Sequence, residues 1–147
     1  MIFVTVGTTK FEELVKEVDK IALTIKEKII IQIGKGTYKP KNCEYFDFSS
    51  DLNQYIKKSN LVIAHGGAGT TFEVLNQGKK LISVENPDVN DSHQWDLISQ
   101  LSKESYAIWC KNLSQLKGKI LLAKKFKFNI YTQPECEIHT RIMEYLK

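Results

Sequence analysis

The sequence predicts a single α/β domain with a mainly parallel sheet, on three observations. Leu61-Val62-Ile63-Ala64 is a short unbroken apolar run rich in β-branched residues, and it and Lys28 to Ile33 (KIIIQI) suit strands buried on both faces. Segments with apolar residues at helical spacing alternate with these runs along the chain. Glycine or small hydroxyl residues stand at most of the turns that leave the strands, at Gly7, Gly34, Ser49 and Gly66.

Taken in order, Ile2 to Val6 is the first strand, and Gly7-Thr8-Thr9 turns out of it. Thr9-x-x-Glu12 has capping-box spacing, and Phe11, Leu14, Val15, Val18, Ile21, Ala22 and Ile25 then form one wide apolar stripe. Lys28 to Ile33 is a strand closed by Gly34-Lys35-Gly36, and Thr37 to Asn42 is a polar loop. Glu44 to Phe48 is a third strand, after which Ser49-Ser50-Asp51 caps a short helix with Leu52, Tyr55 and Ile56. Leu61 to Ala64 is the next strand, and Thr70-x-x-Glu73 opens a helix that Gly78 closes as its C′ glycine. Leu81 to Val84 is a fifth strand, followed by a loop with Pro87 and a helix capped by Asp91 that bears Trp95, Ile98 and Leu101. Tyr106 to Trp109 is a sixth strand, and Leu113, Leu116, Ile120 and Leu121 mark a helix. Lys124 to Tyr131 is an edge strand or an extended arm, and Pro134 opens a last helix with Ile138, Ile142 and Leu146 on one face.

Ligands of such a sheet bind outside the carboxyl ends of its strands. The turns at Gly7, Gly34, Ser49, His65 and Pro87 therefore gather on one edge as the walls of one site.

A chain of 147 residues with 42% hydrophobic and 26% charged side chains is an ordinary globular domain with a real core. Its formal charge of +4 tolerates an anionic ligand but does not mark a nucleic-acid binder. Cys43, Cys110 and Cys136 have no metal-ligand or CxxC spacing and read as reduced thiols in a cytosolic protein. The N-terminus lacks the basic region of a signal peptide, and no apolar run is long enough to span a bilayer. Any membrane role then needs a partner.

The stretch Leu61 to Glu73 carries the chemistry. A strand, a loop with Gly66, Gly67 and Gly69, and a helix start aim backbone N–H groups at an anion, and the helix dipole favours it. Two familiar nucleotide patterns fail: the third glycine of GxGxxG is Phe72, and no GxxxxGK[ST] occurs. Glu73 has two readings, a capping-box acid worth about 1 kcal/mol or a bidentate acceptor for two ribose hydroxyls. His65 is either a buried, satisfied histidine or a ligand contact. Asp91, His93 and Gln94 begin a helix on the same edge; Asp91 caps it, and His93 and Gln94 can reach a sugar or phosphate. Lys35 is a solvated lysine or a counter-ion.

With those residues in view, the sequence resembles glycosyltransferase family 28, specifically its carboxyl-terminal, donor-binding domain. The similarity extends to the small stand-alone catalytic subunits of two-part UDP-sugar transferases in dolichol, exopolysaccharide and capsule synthesis. The segments that carry it are FVTVGTTKFEEL from Phe3, IQIGKGTY from Ile31, NLVIAHGGAGTTFEVL from Asn60 and NDSHQWDLISQL from Asn90.

The resemblance implies a Rossmann-like sheet with helices on both faces, equivalent to the carboxyl-terminal half of a GT-B enzyme. It also implies roles for single residues. The backbone at Phe48 and Ser49 contacts the uracil edge, and Glu73 holds the ribose hydroxyls. Gly67, Ala68, Gly69 and Thr70 cradle the diphosphate with help from Gly7, Thr8 and Thr9. His93 and Gln94 reach the donor sugar, with Gly34, Gly66 and Asp91 in the same wall. The expected reaction is inverting transfer of a hexosyl unit, GlcNAc, galactose or similar, from a UDP-sugar to a lipid-linked saccharide. No metal or other cofactor is expected, and His65 is the candidate base if this chain holds one.

One chain of this length supplies one GT-B half, so the acceptor half comes from a membrane-anchored subunit or from self-association. Residues 1–147 are then one donor-binding domain working at the cytoplasmic face of a membrane. Residues 118–147, with Lys124 to Tyr131 and the helix from Pro134 to Leu146, form an extension that contacts the partner or packs on its own domain. The alternative from another class is a non-catalytic nucleotide-sugar-binding accessory subunit.

Overall fold

The computed structural model describes residues 1–87 and 92–132. Six strands, β1 (Ile2–Thr5), β2 (Ile29–Gln32), β3 (Glu44–Phe46), β4 (Leu61–His65), β5 (Lys80–Val84) and β6 (Ile108–Cys110), form one sheet among these residues. Their order is β3-β2-β1-β4-β5-β6 and every pairing is parallel. The order reverses between β1 and β4, whose ends are matched by the register Thr5 to Ala64. A crevice outside the carboxyl ends at such a reversal is where open α/β sheets bind ligands.

The helices are α1 (Glu12–Ala22), α2 (Asn53–Lys58), α3 (Ala68–Asn76), α4 (Ser92–Lys103) and α5 (Leu116–Ala123), the last preceded by a 3₁₀ turn at Leu113–Gln115. Side chains alternate across the sheet, so neighbouring residues feed opposite cores. Ile2, Val4, Ile63 and Ile82 pack with Leu14, Val18 and Ile21 of α1 and Leu116 and Ile120 of α5. Phe3, Val62, Ala64 and Leu81 pack with Ile56 of α2, Phe72 and Leu75 of α3, and Leu97 and Leu101 of α4. Helices therefore cover both faces, as expected. Each of these buried aliphatic side chains is worth about 1.5–3 kcal/mol, so two such layers fix the sheet.

The end of α3 follows the sequence closely. Gly78 has φ +69 and donates to the Leu75 carbonyl at 3.0 Å, while Lys79 donates to the Val74 carbonyl at 3.3 Å. This pair of bonds closes the last turn around a left-handed glycine.

Both expected capping boxes are corrected. Helix α1 begins at Glu12 with Phe11 before it and no side-chain cap. Thr9 donates instead to the Val6 carbonyl at 2.7 Å. Glu12 faces the β2–β3 connection, where its carboxylate accepts from the Thr37 hydroxyl at 2.7 Å, the Tyr38 amide at 2.9 Å and the Thr37 amide. Helix α3 begins at Ala68, so Thr70 lies inside its first turn and Glu73 is too far along to cap it.

The β2–β3 connection is the second departure. Parallel strands are usually joined through a helix, yet residues 33–43 have none. The buried Asp19 of α1 takes its place as an anchor. Its carboxylate accepts from the Tyr38 hydroxyl at 2.6 Å, the Asn42 amide at 2.8 Å and the Lys41 amide at 3.1 Å. Burial works against the charged carboxylate, but these donors together hold its pKa below the usual value.

Lys124 to Tyr131 is an arm and not a strand. Phe126 and Phe128 pack on the α1–α5 face, whereas Tyr131 is buried on the other face against Phe72 and Tyr106. Asn129 fixes the crossing by donating to the carbonyls of Ser105 at 2.9 Å and Glu104 at 2.7 Å. These aromatics are thus used on their own domain. Within the expected helical stripes, Trp95 (49% exposed) and Leu121 (48% exposed) face outward. Ile25 lies beyond the end of α1. Asp91, Cys136 and the helix from Pro134 fall outside the described residues.

Candidate functional site at the carboxyl edge

Turns leaving β1, β2, β3, β4 and β5 meet on one edge, and buried polar bonds tie them together. Under the first turn, the Thr5 hydroxyl donates to the Gln32 side-chain carbonyl and accepts from the Gly7 amide at 3.0 Å. Gly7 turns the chain with φ +65, a conformation open to glycine at little cost. Gly34 answers it from β2. A Cβ on Gly34 would lie 2.2 Å from the Thr9 carbonyl oxygen, and the Lys35 amide donates to that same oxygen at 3.1 Å. The Gly34 amide donates in turn to the Asp47 carbonyl at 3.0 Å, which brings the exit of β3 to the same edge. There Phe48 is 62% exposed, and the Ser49 hydroxyl donates to the Asp51 carbonyl at 3.1 Å. Lys35 is exposed.

The three glycines after β4 separate into two kinds. Gly66 and Gly67 are glycine because neighbours leave no room. A Cβ on Gly66 would lie 2.1 Å from Gln94 Cγ, and one on Gly67 would lie 2.3 Å from His65 Cε1. Gly69 is different: nothing stands within 4 Å of where its Cβ would be. It occupies the first turn of α3, where Ala68, Gly69 and Thr70 precede the first intrahelical donor. That donor is the Thr71 amide, bonded to the Gly67 carbonyl at 3.1 Å. The helix has no side-chain N-cap. Its first amides therefore have no acceptor within the helix, and the positive end of the dipole stands behind them. Glu73 lies four residues past Gly69, on the same helix face. It is half-buried and accepts no hydrogen bond among the described residues.

His65 lies between two of these turns. Its Nδ1 accepts from the Gly67 amide at 3.1 Å, and its Nε2 is buried beside Gly7 without a partner. Burial pushes its pKa below the usual histidine value. A neutral ring accepting at Nδ1 carries its proton on Nε2.

Two further residues knit the edge. Gln94, 6% exposed in the first turn of α4, accepts through Oε1 from the Gly66 amide at 3.1 Å and the Asn86 amide at 2.9 Å. Fully buried Asn86 donates through Nδ2 to the Lys10 carbonyl at 3.0 Å. The carbonyl of Gln94 is thus committed inside the protein. His93 is half-buried beside it. Sequence reasoning missed Asn86, Thr5 and Gln32. A lone asparagine in a loop and polar residues at strand ends carry no spacing signal, because their partners are far away in the chain.

A hollow of about 390 Å³ opens on this edge between Phe11, Glu85, Pro87 and Lys111. Another of about 380 Å³ lies at the opposite edge, between Met1, Leu61, Lys80 and Lys124. Neither hollow is lined by a residue of the glycine loop; the carboxyl edge is the candidate site because the glycine loop and the start of α3 lie there. Among the described residues no helix is long and apolar enough to cross a membrane.

Residues 1–144 match the glycosyltransferase family 28 C-terminal domain. A human protein, UDP-N-acetylglucosamine transferase subunit ALG13, is 37% identical over 122 residues, covering 74% of this chain and 11% of that protein. A transferase from Pelagibacter ubique, UDP-N-acetylglucosamine--N-acetylmuramyl-(pentapeptide) pyrophosphoryl-undecaprenol N-acetylglucosamine transferase, is 29% identical over 128 residues. That alignment covers 80% of this chain and 36% of the transferase. The chain therefore spans only a minor part of either relative. A solution NMR structure of ALG13 superposes with a TM-score of 0.63 at 21% identity, covering 99% of this chain and 93% of that one, which shows a shared fold.

Proposed function

Since the chain belongs to glycosyltransferase family 28 through its C-terminal domain, we propose that it is the UDP-sugar-binding, catalytic subunit of a two-subunit inverting glycosyltransferase. It transfers a hexosyl unit, GlcNAc, galactose or similar, to a lipid-linked saccharide. One observation carries the reading: the uncapped start of α3 opens on free space at Gly69, with the Glu73 carboxylate on the same helix face. The names of the relatives support a UDP-GlcNAc-type donor, a subunit role and a polyprenyl-linked acceptor.

In this reading the amides of Ala68, Gly69 and Thr70 hold the diphosphate and stabilise it as it departs, taking the part a divalent cation plays elsewhere. The turn at Gly7, Thr8 and Thr9 closes the other side. Glu73 accepts from the ribose hydroxyls, the backbone at Phe48 and Ser49 meets the uracil edge, and His93 with Gln94 Nε2 reaches the sugar. Inversion needs one base to take the proton of the acceptor hydroxyl. The tautomer of His65 supports donation from Nε2 over proton abstraction, because Nδ1 already accepts from Gly67. Base duty on His65 requires that bond to break. We therefore place the base on the acceptor half, carried by a membrane-anchored partner that brings this chain to the cytoplasmic face.

The test is calorimetric titration with UDP, ADP and GDP, followed by a transfer assay with and without the partner. Tighter binding of UDP and turnover that depends on the partner are expected. Equal affinity for the three nucleotides would reduce the chain to a general nucleotide module. Full turnover by the isolated monomer would refute the two-subunit reading.

A further inference from the structure

We propose that Asn86 is a positioning residue for the donor site, holding the β1–α1 turn, the glycine loop and the exit of β5 in one register. The proposal rests on the donor-binding reading above. Asn86 is fully buried two residues past the end of β5, and its two nitrogens reach in different directions. The side-chain Nδ2 donates at 3.0 Å to the carbonyl of Lys10, 76 residues away, at the end of the Gly7-Thr8-Thr9 turn. The backbone N–H donates at 2.9 Å to Gln94 Oε1, which also accepts from the Gly66 amide at 3.1 Å. Turns from β1, β4 and β5 therefore converge on two side chains.

The chemistry asks for asparagine there. An apolar residue would fill the space but leave the Lys10 carbonyl without this donor inside the protein. Aspartate is the same size, but at neutral pH it turns a carboxylate oxygen toward that carbonyl. Amides that grip a diphosphate must be held close to their bound geometry before the ligand arrives. Lys10 and Gly66 are the residues next to the two turns that do the gripping, so a slip at Asn86 is felt on both sides of the ligand.

The experiment is UDP titration of the full chain carrying Asn86→Asp, beside the wild type, at about pH 7.5 and about pH 5.5. Affinity is expected to fall about tenfold at the higher pH. It recovers at the lower pH relative to the wild type, because the buried acid, once protonated, donates its O–H to the Lys10 carbonyl. Asn86→Ser adds no charge and is too short to span the gap. It should lose affinity by a similar factor at both pH values, and it carries the test if the aspartate variant does not fold. A merely structural asparagine would shift the melting temperature and leave the affinity of folded protein unchanged. Folded variants that bind UDP within about twofold of the wild type, or a loss in Asn86→Asp that ignores pH, would overturn the proposal. A wild-type chain that does not bind UDP would instead refute the donor reading, and this inference with it.

Discussion

Replacing Gly69 by alanine separates what the fold needs from what the ligand needs. Gly69 lies in the first turn of α3, and no atom stands within 4 Å of where its Cβ would be. In the unliganded chain the methyl group therefore fits. Alanine also favours the helix over glycine by up to about 1 kcal/mol, so Gly69→Ala should raise the melting temperature by about 2–4 °C. Binding should move the other way. The methyl group occupies the space through which a phosphate oxygen approaches the orphan amides. Loss of one hydrogen bond to a charged group costs about 1.5–3 kcal/mol, or roughly a ten- to hundredfold weaker UDP complex. Scanning calorimetry reads the first quantity and isothermal titration the second. Gly67→Ala is the control: its Cβ would lie 2.3 Å from the His65 ring, so it should destabilise the chain with or without ligand. A Gly69→Ala protein that is stable and binds UDP as tightly as the wild type would refute the diphosphate cradle.

Glu73→Ala should weaken UDP binding by about 1–3 kcal/mol without affecting the fold, since a charged acceptor is lost; unchanged affinity by calorimetry would remove it from the ribose. Asp19→Ala leaves the Tyr38 hydroxyl and the Lys41 and Asn42 amides without their acceptor. A loss of about 1–3 kcal/mol in denaturant unfolding is expected. Acid should act in two windows. His65 has a depressed pKa, so the unfolded chain binds the proton first, and stability falls as pH drops below about 6.5. Glu12 is held at about 2 by the hydroxyl and amide of Thr37 and the amide of Tyr38, so its stabilisation is present above the unfolded value near 4.5 and is lost as pH falls toward about 2. Melting curves of His65→Gln should be flatter in the upper window alone.

Much of the fold was legible because burial on both faces leaves an unmistakable pattern. The strands around Ile30 and Val62 and the glycine end of α3 at Gly78 needed nothing but local sequence. The two capping boxes misled for one reason. The spacing between a threonine and a glutamate describes a local bond, whereas Glu12 bonds to Thr37 and α3 starts two residues before Thr70. Long-range bonds won over local pattern in the first case. Asp19 makes the same point: on α1 it reads as one more surface carboxylate, and only the tertiary structure shows it buried beneath a connection that has no helix. At the site, the glycines and Glu73 were visible as types. What could not be read was that Gly66 and Gly67 are small for packing, while Gly69 alone opens on space. The Asn86–Gln94 brace was invisible too, because the groups it ties, at Lys10 and Gly66, lie on other turns that meet it only after folding.

The arm from Lys124 to Tyr131 binds the molecule across its width. Phe126 and Phe128 lie under one set of helices, and Tyr131 rests on Phe72 under the other. Peeling the arm away would uncover both layers together, so they should come apart as one cooperative unit. Since Phe72 belongs to the helix whose start faces the proposed ligand, strain applied along this strap reaches the binding edge through the Tyr131–Phe72 contact.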